Sequence, residues 1–218
     1  MSNELPAPGS TERTRVRRLA DKTVVDRNVL NAILDAGLVA HVAVVTDGQP
    51  YVVSVAYARD GDRVLFHGST GSRLFRGLAT GDSTCLTVTL IDGLVLARSA
   101  FESSINYRSV MVLGSCVVLK GEEKDRALRV ISDHLLPDRW DDIRPPTKKE
   151  TAATLVLALS LEECSVKVGE GGPEEAEGDE TWPAWGGHVP IREVLGEPVS
   201  DEFVTDQPVP DYVRKWTR

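Results

Sequence analysis

One short stretch of this chain carries the residue types that hold a phosphate. Residues Val64–Phe75 have the pattern of a strand, a turn of small residues and a helix with an arginine in its first turn. Backbone N–H groups point outward at such a turn, and small side chains let an anion approach them. Because the helix dipole disfavours a cation there unless an anion is present, the arginine supports the same interpretation. The predicted anion-binding residues are Gly68, Ser69, Ser72 and Arg73.

Several residues of this stretch have a second interpretation. Ser69 and Ser72 are also good helix N-caps, so capping and anion contact both stay open. His67 ends the strand, where an imidazole is either a hydrogen-bonded structural residue or a contact to cofactor or substrate. With an ordinary pKa of about 6.5, it can donate a proton or recognise an anion. The G-x-S-x-G spacing of a serine nucleophile is absent, and no two histidines have metal-ligand spacing.

Turn residues and hydrophobic periodicity predict the elements around this stretch. Asp26 begins a short amphipathic helix that Gly37 ends, and Asp47-Gly48 joins two valine-rich runs as a hairpin. The other predicted elements are the strands Leu38–Thr46, Tyr51–Ala58 and Arg63–Gly68, the helix Thr70–Thr80, the strands Ser83–Leu90 and Leu94–Phe101 paired around Asp92-Gly93, the strand Tyr107–Lys120 with a bend at Gly114, the helix Glu122–Leu136, and the strands Ala153–Leu159 and Cys164–Val168. About seven strands joined mostly by tight turns favour antiparallel pairing in a closed or partly split barrel.

Composition narrows the class of protein. A net charge of −8 argues against nucleic acid or an anionic membrane as a partner. No apolar run approaches the roughly 20 residues of a membrane helix, and the first residues do not resemble a secretion signal. The three cysteines are far apart in apolar runs, which favours reduced thiols and the cytoplasm. The predicted organisation is a disordered N-terminus over 1–12, a barrel domain over 13–168, an acidic flexible linker over 169–181 and a tail over 182–218 that packs on the barrel or on a partner subunit.

Four segments in this order resemble a known family. They are Val42–Tyr57, Phe66–Arg73, Asn106–Val110 and Trp185–Pro190. Together they resemble the pyridoxamine 5′-phosphate oxidase-like proteins, and within them the branch that includes the nitroimidazole-resistance flavoproteins. The resemblance implies a mainly β fold with inserted helices, a six-stranded antiparallel split β-barrel of the FMN-binding type. It also implies a homodimer with FMN at the subunit interface.

The resemblance also implies which residues touch the flavin. The phosphate would lie at the turn described above, together with His67. The isoalloxazine would lie along Ser54, Val55, Ala56 and Tyr57. Asn106, Tyr107 and Arg108 would sit near the flavin or the dimer seam, and Trp185 would cover the site. Many relatives have a second basic residue after the one matched by Arg73, whereas this chain has Leu74.

The expected function is an FMN-dependent oxidoreductase that acts on a small planar acceptor, with nitro-aromatic reduction as the example by analogy. His67 and Tyr107 are the predicted catalytic residues, as proton donors or substrate-orienting groups. The C-terminal Arg/Trp substrate pattern of true pyridoxamine-phosphate oxidases is not found, which argues against vitamin B6 oxidation. The alternative is a non-catalytic protein that binds FMN, haem or a deazaflavin. No metal site is expected.

Overall fold

The computed structural model describes residues 5–204 and 206–216, so the first four residues of the predicted disordered N-terminus lie outside the described part. The chain divides into two compact units, each assembled from three segments. The His67 unit comprises the described residues of Leu38–Thr84, Gly114–Ser160 and Val194–Arg218. The Tyr107 unit comprises those of Met1–Gly37, Cys85–Leu113 and Leu161–Glu193.

The described residues form nine strands and five α-helices. The strands are β1 Val39–Thr46, β2 Gln49–Asp60, β3 Arg63–Ser69, β4 Ser83–Leu96, β5 Ser104–Ser115, β6 Val117–Val118, β7 Thr154–Ser160, β8 Glu163–Gly169 and β9 Gly187–Pro190. The helices are α1 Arg27–Ala36, α2 Arg73–Ala79, α3 Gly121–Leu135, α4 Lys148–Ala153 and α5 Asp211–Arg214. Single 3-10 turns lie at Ala20–Lys22, Trp140–Asp142 and Asp179–Thr181.

The sheet of the His67 unit has the strand order β6-β7-β3-β2-β1. The pairs β1–β2, β2–β3, β3–β7 and β6–β7 are all antiparallel. The β1–β2 hairpin turns at Asp47 and Gly48, whose φ angles of 51° and 76° are both in the left-handed region that such a tight turn requires. The hairpin predicted from Asp-Gly is therefore confirmed.

Helix α3 covers this sheet and forms the main apolar core of the His67 unit. Its Ala127 and Ile131 are buried, and Leu128 and Leu135 pack against the same cluster half-buried. The strand and loop residues of the cluster are Ala58, Leu65, Leu119, Val156 and Ala158. Burial of these aliphatic groups, at roughly 25 cal/mol per Å² of apolar surface, is what holds the helix on the strands.

In the Tyr107 unit, strand β4 lies between β9 and β5, and β5 pairs with β8. The β5–β8 pair is antiparallel, with Tyr107 opposite Gly169. Helix α1 buries Leu30, Ile33 and Leu34, and the carboxylate of Asp26 caps it by accepting from the Asn28 N–H at 2.8 Å. The helix predicted between Asp26 and Gly37 is confirmed.

Three predicted elements are wrong in detail. The strand pair expected around Asp92-Gly93 is the single strand β4. The glycine at position 93 lets β9 approach β4 closely, because a Cβ there would lie 2.9 Å from the carbonyl oxygen of Val189 in β9. The helix expected from Thr70 begins at Arg73, since the preceding residues form a turn, and the long strand expected to Lys120 is interrupted after Ser115. None of the described helices has the length and apolar run needed to cross a bilayer.

Candidate cofactor site

The turn between β3 and α2 uses several of its own N–H groups. The Thr70 N–H donates to the Ala153 carbonyl at 2.9 Å, and the Ser72 N–H donates to the Ser69 carbonyl at 3.0 Å. The Gly71 N–H donates to the Ser69 hydroxyl oxygen at 3.1 Å. The N–H groups available to an anion are thus those of the first turn of α2, where the Ser72 side chain makes no capping bond.

Two residues of the predicted anion site have packing roles. A Cβ at Gly68 would lie 2.2 Å from the Phe75 ring, so this position has no room for a side chain. The Arg73 guanidinium carbon lies 6.0 Å from the centre of the Tyr51 ring, within cation–π range. Arg73 is exposed, so its charge is held at the surface beside the turn, where it can meet a phosphate.

The four residues predicted to lie along the isoalloxazine differ in their exposure to solvent. Ser54 is exposed and Val55 and Ala56 are half-buried, so all three can contact a ligand. Tyr57 is fully buried, with its ring centre 5.5 Å from that of His134 on α3. The side chain of Tyr57 therefore belongs to the core and is not exposed to a ligand.

His67 lies at the wall of an open cavity formed by residues of the His67 unit. This cavity has a volume of about 370 Å³, and a neighbouring cavity of about 770 Å³ shares several of its wall residues. The shared residues are Leu128, Trp140, Pro146, Thr151 and Thr154. Leucine, tryptophan and proline side chains make the common wall mainly apolar.

His67 is exposed at this wall, and the partial desolvation that it undergoes there lowers its pKa below the ordinary 6.5. The cause is desolvation, which penalises the charged imidazolium. The residue still presents a surface to the cavity, so it is an accessible but neutral imidazole at neutral pH. A neutral imidazole is the form that ligates a metal.

Cationic residues surround the apolar wall. The larger cavity is lined by three lysines and one carboxylate, Lys120, Lys124, Lys148 and Asp125, and the smaller one by Arg144 and Glu150. The Lys124 ammonium donates to the carbonyls of Thr151 and Thr154 at 2.6 and 2.7 Å, so it ties α3 to the start of β7.

Glu150 closes this rim with two charged contacts. The Arg144 guanidinium donates to both carboxylate oxygens at 2.6 and 2.9 Å, and the Thr147 N–H donates at 2.7 Å. These bonds lower the pKa of Glu150 to about 2. The carboxylate therefore stays charged and paired, and it keeps the loop before α4 in place.

The remaining predicted residues lie in the Tyr107 unit. The Asn106 amide donates to the Gly171 carbonyl at 2.8 Å, and the Tyr107 ring covers Gly169, where a Cβ would lie 3.2 Å away. Arg108 makes a two-pronged ion pair with Asp92, at 2.7 and 2.9 Å, which raises the pKa of Arg108. Its charge is therefore already neutralised within the unit.

Trp185 lies against the backbone just ahead of β9. Its ring would be 2.8 Å from a Cβ at Gly187, and the side chain is about two-thirds exposed, at 66%. At the neighbouring Gly186, a Cβ would approach the Arg98 guanidinium, which is ion-paired with Glu175 at 2.9 Å. An exposed indole fixed this way is suited to stack on a planar ring.

Sequence reasoning missed the cavity wall. Trp140, Ile143 and Pro146 lie in a segment rich in proline and charge, which has no strand or helix periodicity. One local signal was available, because Thr147-x-x-Glu150 is a capping box that begins α4.

The fold is that of an antiparallel split β-barrel protein with inserted helices. This confirms the predicted fold class, although the described residues contain nine strands where six were expected. The pyridoxamine 5′-phosphate oxidase family matches the chain over residues 26–168, and the chain belongs to this family. The family predicted from the sequence is therefore confirmed.

Solved structures give more specific similarities. The flavocytochrome Anf3 from Azotobacter vinelandii is 41% identical with a TM-score of 0.90, over 97% of this chain and 99% of that chain. The FAD and haem binding protein from Mycobacterium smegmatis is 39% identical with a TM-score of 0.85, over 88% of this chain and 96% of that chain. A candidate 5-nitroimidazole antibiotic resistance protein from Bacteroides thetaiotaomicron is 21% identical with a TM-score of 0.57, over 67% of this chain and 86% of that chain, which shows the fold alone. No curated protein matches this chain.

Proposed function

We propose that this protein binds a flavin and a haem and transfers electrons between them. The observation that carries the proposal is the position of His67, an exposed imidazole in the lining of a mainly apolar cavity of the His67 unit. Of the two most similar proteins reported above, the one at 41% identity is described as a flavocytochrome, and the one at 39% identity is described as an FAD and haem binding protein. Both descriptions support the alternative in which the protein binds a haem.

The cavity fits the chemistry of a haem. A haem has an apolar macrocycle, an iron that takes a nitrogen ligand, and two propionates that pair with cations. Leu128 and Trp140 supply apolar wall, and His67 supplies the nitrogen. Lys120 and Lys148 line the larger cavity, where they would meet the propionates. Among the described residues, no three histidine, cysteine, aspartate or glutamate side chains are grouped to hold a metal directly, whereas a haem would need only one nitrogen ligand from the chain.

We propose that the flavin phosphate binds at the start of α2, with Ser69, Ser72 and Arg73 as its contacts. Arg73 is exposed there, and the Ser72 side chain makes no capping bond. Because one similar protein is named for FAD binding, we propose FAD in place of the FMN expected from the sequence. Asn106, Tyr107 and Trp185 are further proposed flavin contacts.

The bound groups would supply one- and two-electron chemistry, and the chain would bind and orient them. His67 is proposed as a ligand in place of a proton donor, because its imidazole is accessible at the cavity wall and desolvation lowers its pKa. Arg108 is proposed as a positioning residue, because its guanidinium already pairs with Asp92. Tyr107 stays the predicted orienting group for a substrate.

Other expectations remain predictions. We propose a homodimer, supported by the exposed apolar side chains on the β1–β2 hairpin, which are Val45, Tyr51, Val52 and Val53. Reduction of a small planar acceptor, such as a nitro-aromatic, stays a prediction, as does a location in the cytoplasm.

Absorbance of the purified protein tests the function. A Soret band together with flavin bands is expected, and chromatography of the acid-released flavin would identify FAD or FMN. His67→Ala is expected to abolish the Soret band and leave the flavin bands, because the iron loses its nitrogen ligand while the turn at α2 is intact. The control is His41→Ala, an exposed histidine on β1. Full haem retention in His67→Ala would contradict the assignment, and a protein with neither chromophore would end the proposal.

A further inference from the structure

The Trp140 wall of the cavity is held by residues that do not touch the cavity. Trp140 begins a 3-10 turn, and the two residues after it are Asp141 and Asp142. The chain enters this segment through Asp138, whose φ of 64° is left-handed. Backbone bonds form the turn after this reversal, from the Arg139 N–H to the Leu136 carbonyl at 3.3 Å and from the Asp142 N–H to the Arg139 carbonyl at 3.1 Å, and side-chain contacts attach the turn to other elements.

The first of these contacts comes from α3. The carboxylate of Asp141 accepts from the Arg129 guanidinium at 2.7 Å, and the same guanidinium pairs with Asp133 at 3.5 Å. Arg129 lies on α3, the helix that also gives Leu128 to the cavity. This ion pair therefore fixes one side of the Trp140 turn to the cavity's own helix.

The second contact comes from the C-terminal helix α5. The Tyr212 hydroxyl accepts from the Arg139 guanidinium at 2.9 Å and donates to the carboxylate of Asp142. Arg139 and Asp142 also form an ion pair at 3.5 Å. One hydroxyl thus joins the residue before Trp140 to a residue after it.

The rest of the tail is packed loosely against this turn. A cavity of about 350 Å³ lies between the tail and the pair Arg139–Asp142. Apolar packing is therefore incomplete there, and the polar contacts of Tyr212 carry more of the attachment. The hydroxyl bridges two charged groups, so its bonds are charge-assisted, and their exposure to solvent keeps the contribution of each near that of an ordinary hydrogen bond.

We propose that Tyr212 is a positioning residue, which holds Trp140 against the cavity and thereby sets how tightly the cavity retains its ligand. This inference rests on the proposed haem site. Tyr212 acts through Arg139 and Asp142, and it is not itself in the cavity lining. Loss of the hydroxyl frees the Trp140 turn from α5 while the Arg129–Asp141 ion pair remains.

The test uses the full chain and three variants. Tyr212→Phe keeps the ring and removes the hydroxyl. Asp142→Asn keeps an acceptor oxygen for that hydroxyl and is expected to stay nearer to wild type. Lys215→Gln is the control, because it breaks an exposed ion pair with Asp211 near the end of the same helix.

The first readout needs no ligand. Hydrogen exchange of the backbone over 139–143 is expected to speed up in Tyr212→Phe and to match wild type in Lys215→Gln. The second readout is transfer of haem b to an acceptor globin, which we expect to be about fivefold faster in Tyr212→Phe, the factor that corresponds to one ordinary hydrogen bond.

Each outcome decides the inference. Unchanged exchange over 139–143 in Tyr212→Phe would overturn it, whatever the haem does. Faster exchange with unchanged haem transfer would also overturn it, because the turn would then not control the ligand. If the wild-type chain takes up no haem, the proposed function fails, and the exchange result alone decides whether Tyr212 holds the Trp140 turn.

Discussion

The imidazole of His67 makes the stability of the His67 unit depend on pH. Partial desolvation of the exposed His67 lowers the pKa of this group in the folded chain, while in the unfolded chain it keeps its ordinary 6.5. As the pH falls below 6.5, the unfolded state takes up a proton before the folded state does, so the free energy of unfolding decreases. The stability that comes from keeping His67 neutral is fully present above pH 6.5, and it is lost as the pH falls toward the pKa of His67 in the folded chain.

Thermal melts without added haem test this. The midpoint is expected to fall between about pH 7 and about pH 5, and the fall is expected to be shallower in His67→Gln, which cannot take up the proton. His41→Gln, an exposed histidine, serves as the control. Parallel pH profiles for the wild type and His67→Gln would show that His67 does not titrate in this way.

The cysteines differ in reactivity for the same reason. Burial raises the pKa of Cys116 to about 12 and also raises that of the half-buried Cys85. Since the thiolate is the reactive form, Cys116 is expected to resist alkylation of the native protein near neutral pH. Mass spectrometry after iodoacetamide treatment should find Cys85 modified before Cys116. Equal labelling of the two would mean that the region around Cys116 opens readily.

At the scale of elements, the contact between β4 and β9 depends on Gly93. A Cβ there would lie 2.9 Å from the carbonyl oxygen of Val189, so Gly93→Ala must push the strands apart. We expect a loss of about 1–3 kcal/mol in the free energy of unfolding, the usual cost of overpacking. Chemical denaturation measures this loss.

Gly172→Ala is the matched control for Gly93→Ala. No heavy atom lies within 4 Å of the position that a Cβ would take at Gly172, and the φ of this residue is not positive. This variant should unfold at the same denaturant concentration as the wild type or slightly above it. If the two substitutions had equal effects on stability, the close approach of β9 would not explain why position 93 is a glycine.

Two Asp-Gly pairs show how far sequence reasoning reaches in this fold. Asp47-Gly48 is a turn, as predicted, because both residues adopt left-handed φ between strands that are adjacent in the chain. Asp92-Gly93 lies inside β4, where the Ile191 N–H donates to the Asp92 carbonyl at 2.9 Å. That contact comes from a segment far later in the chain, so no local pattern could reveal it.

In the candidate site too, the parts formed by consecutive residues could be predicted, and the parts formed by distant residues could not. The turn near Arg73 was predicted because its strand, small residues and helix are consecutive in the chain. The cavity at His67 was not, since Trp140 and Pro146 approach it only through tertiary packing. Gly68 stays a predicted anion contact, and the structure shows a separate reason for a glycine there, because the Phe75 ring leaves no room for a side chain.

At the scale of the whole molecule, the exposed hairpin β1–β2 provides a test of the proposed homodimer. Val52 is 64% exposed on this hairpin, and Val117 on the edge strand β6 is 63% exposed. Val52→Glu is expected to shift the protein toward monomer, because burying an unpaired carboxylate at an interface is unfavourable. Light scattering after size exclusion measures the mass, and Val117→Glu should leave it unchanged. A dimer of wild-type strength in Val52→Glu would place the interface elsewhere.

The His67 unit includes the last described helix of the chain, α5, and Tyr212 of that helix joins residues on both sides of Trp140. During synthesis, this helix leaves the ribosome after every residue that lines the cavity. The contacts that hold the wall are therefore complete only when translation has passed α5, and on the proposed function tight binding of a haem would follow that moment. A protein cut just before α5 would keep every described strand of the barrel and, on the same proposal, would release its haem faster than the full chain.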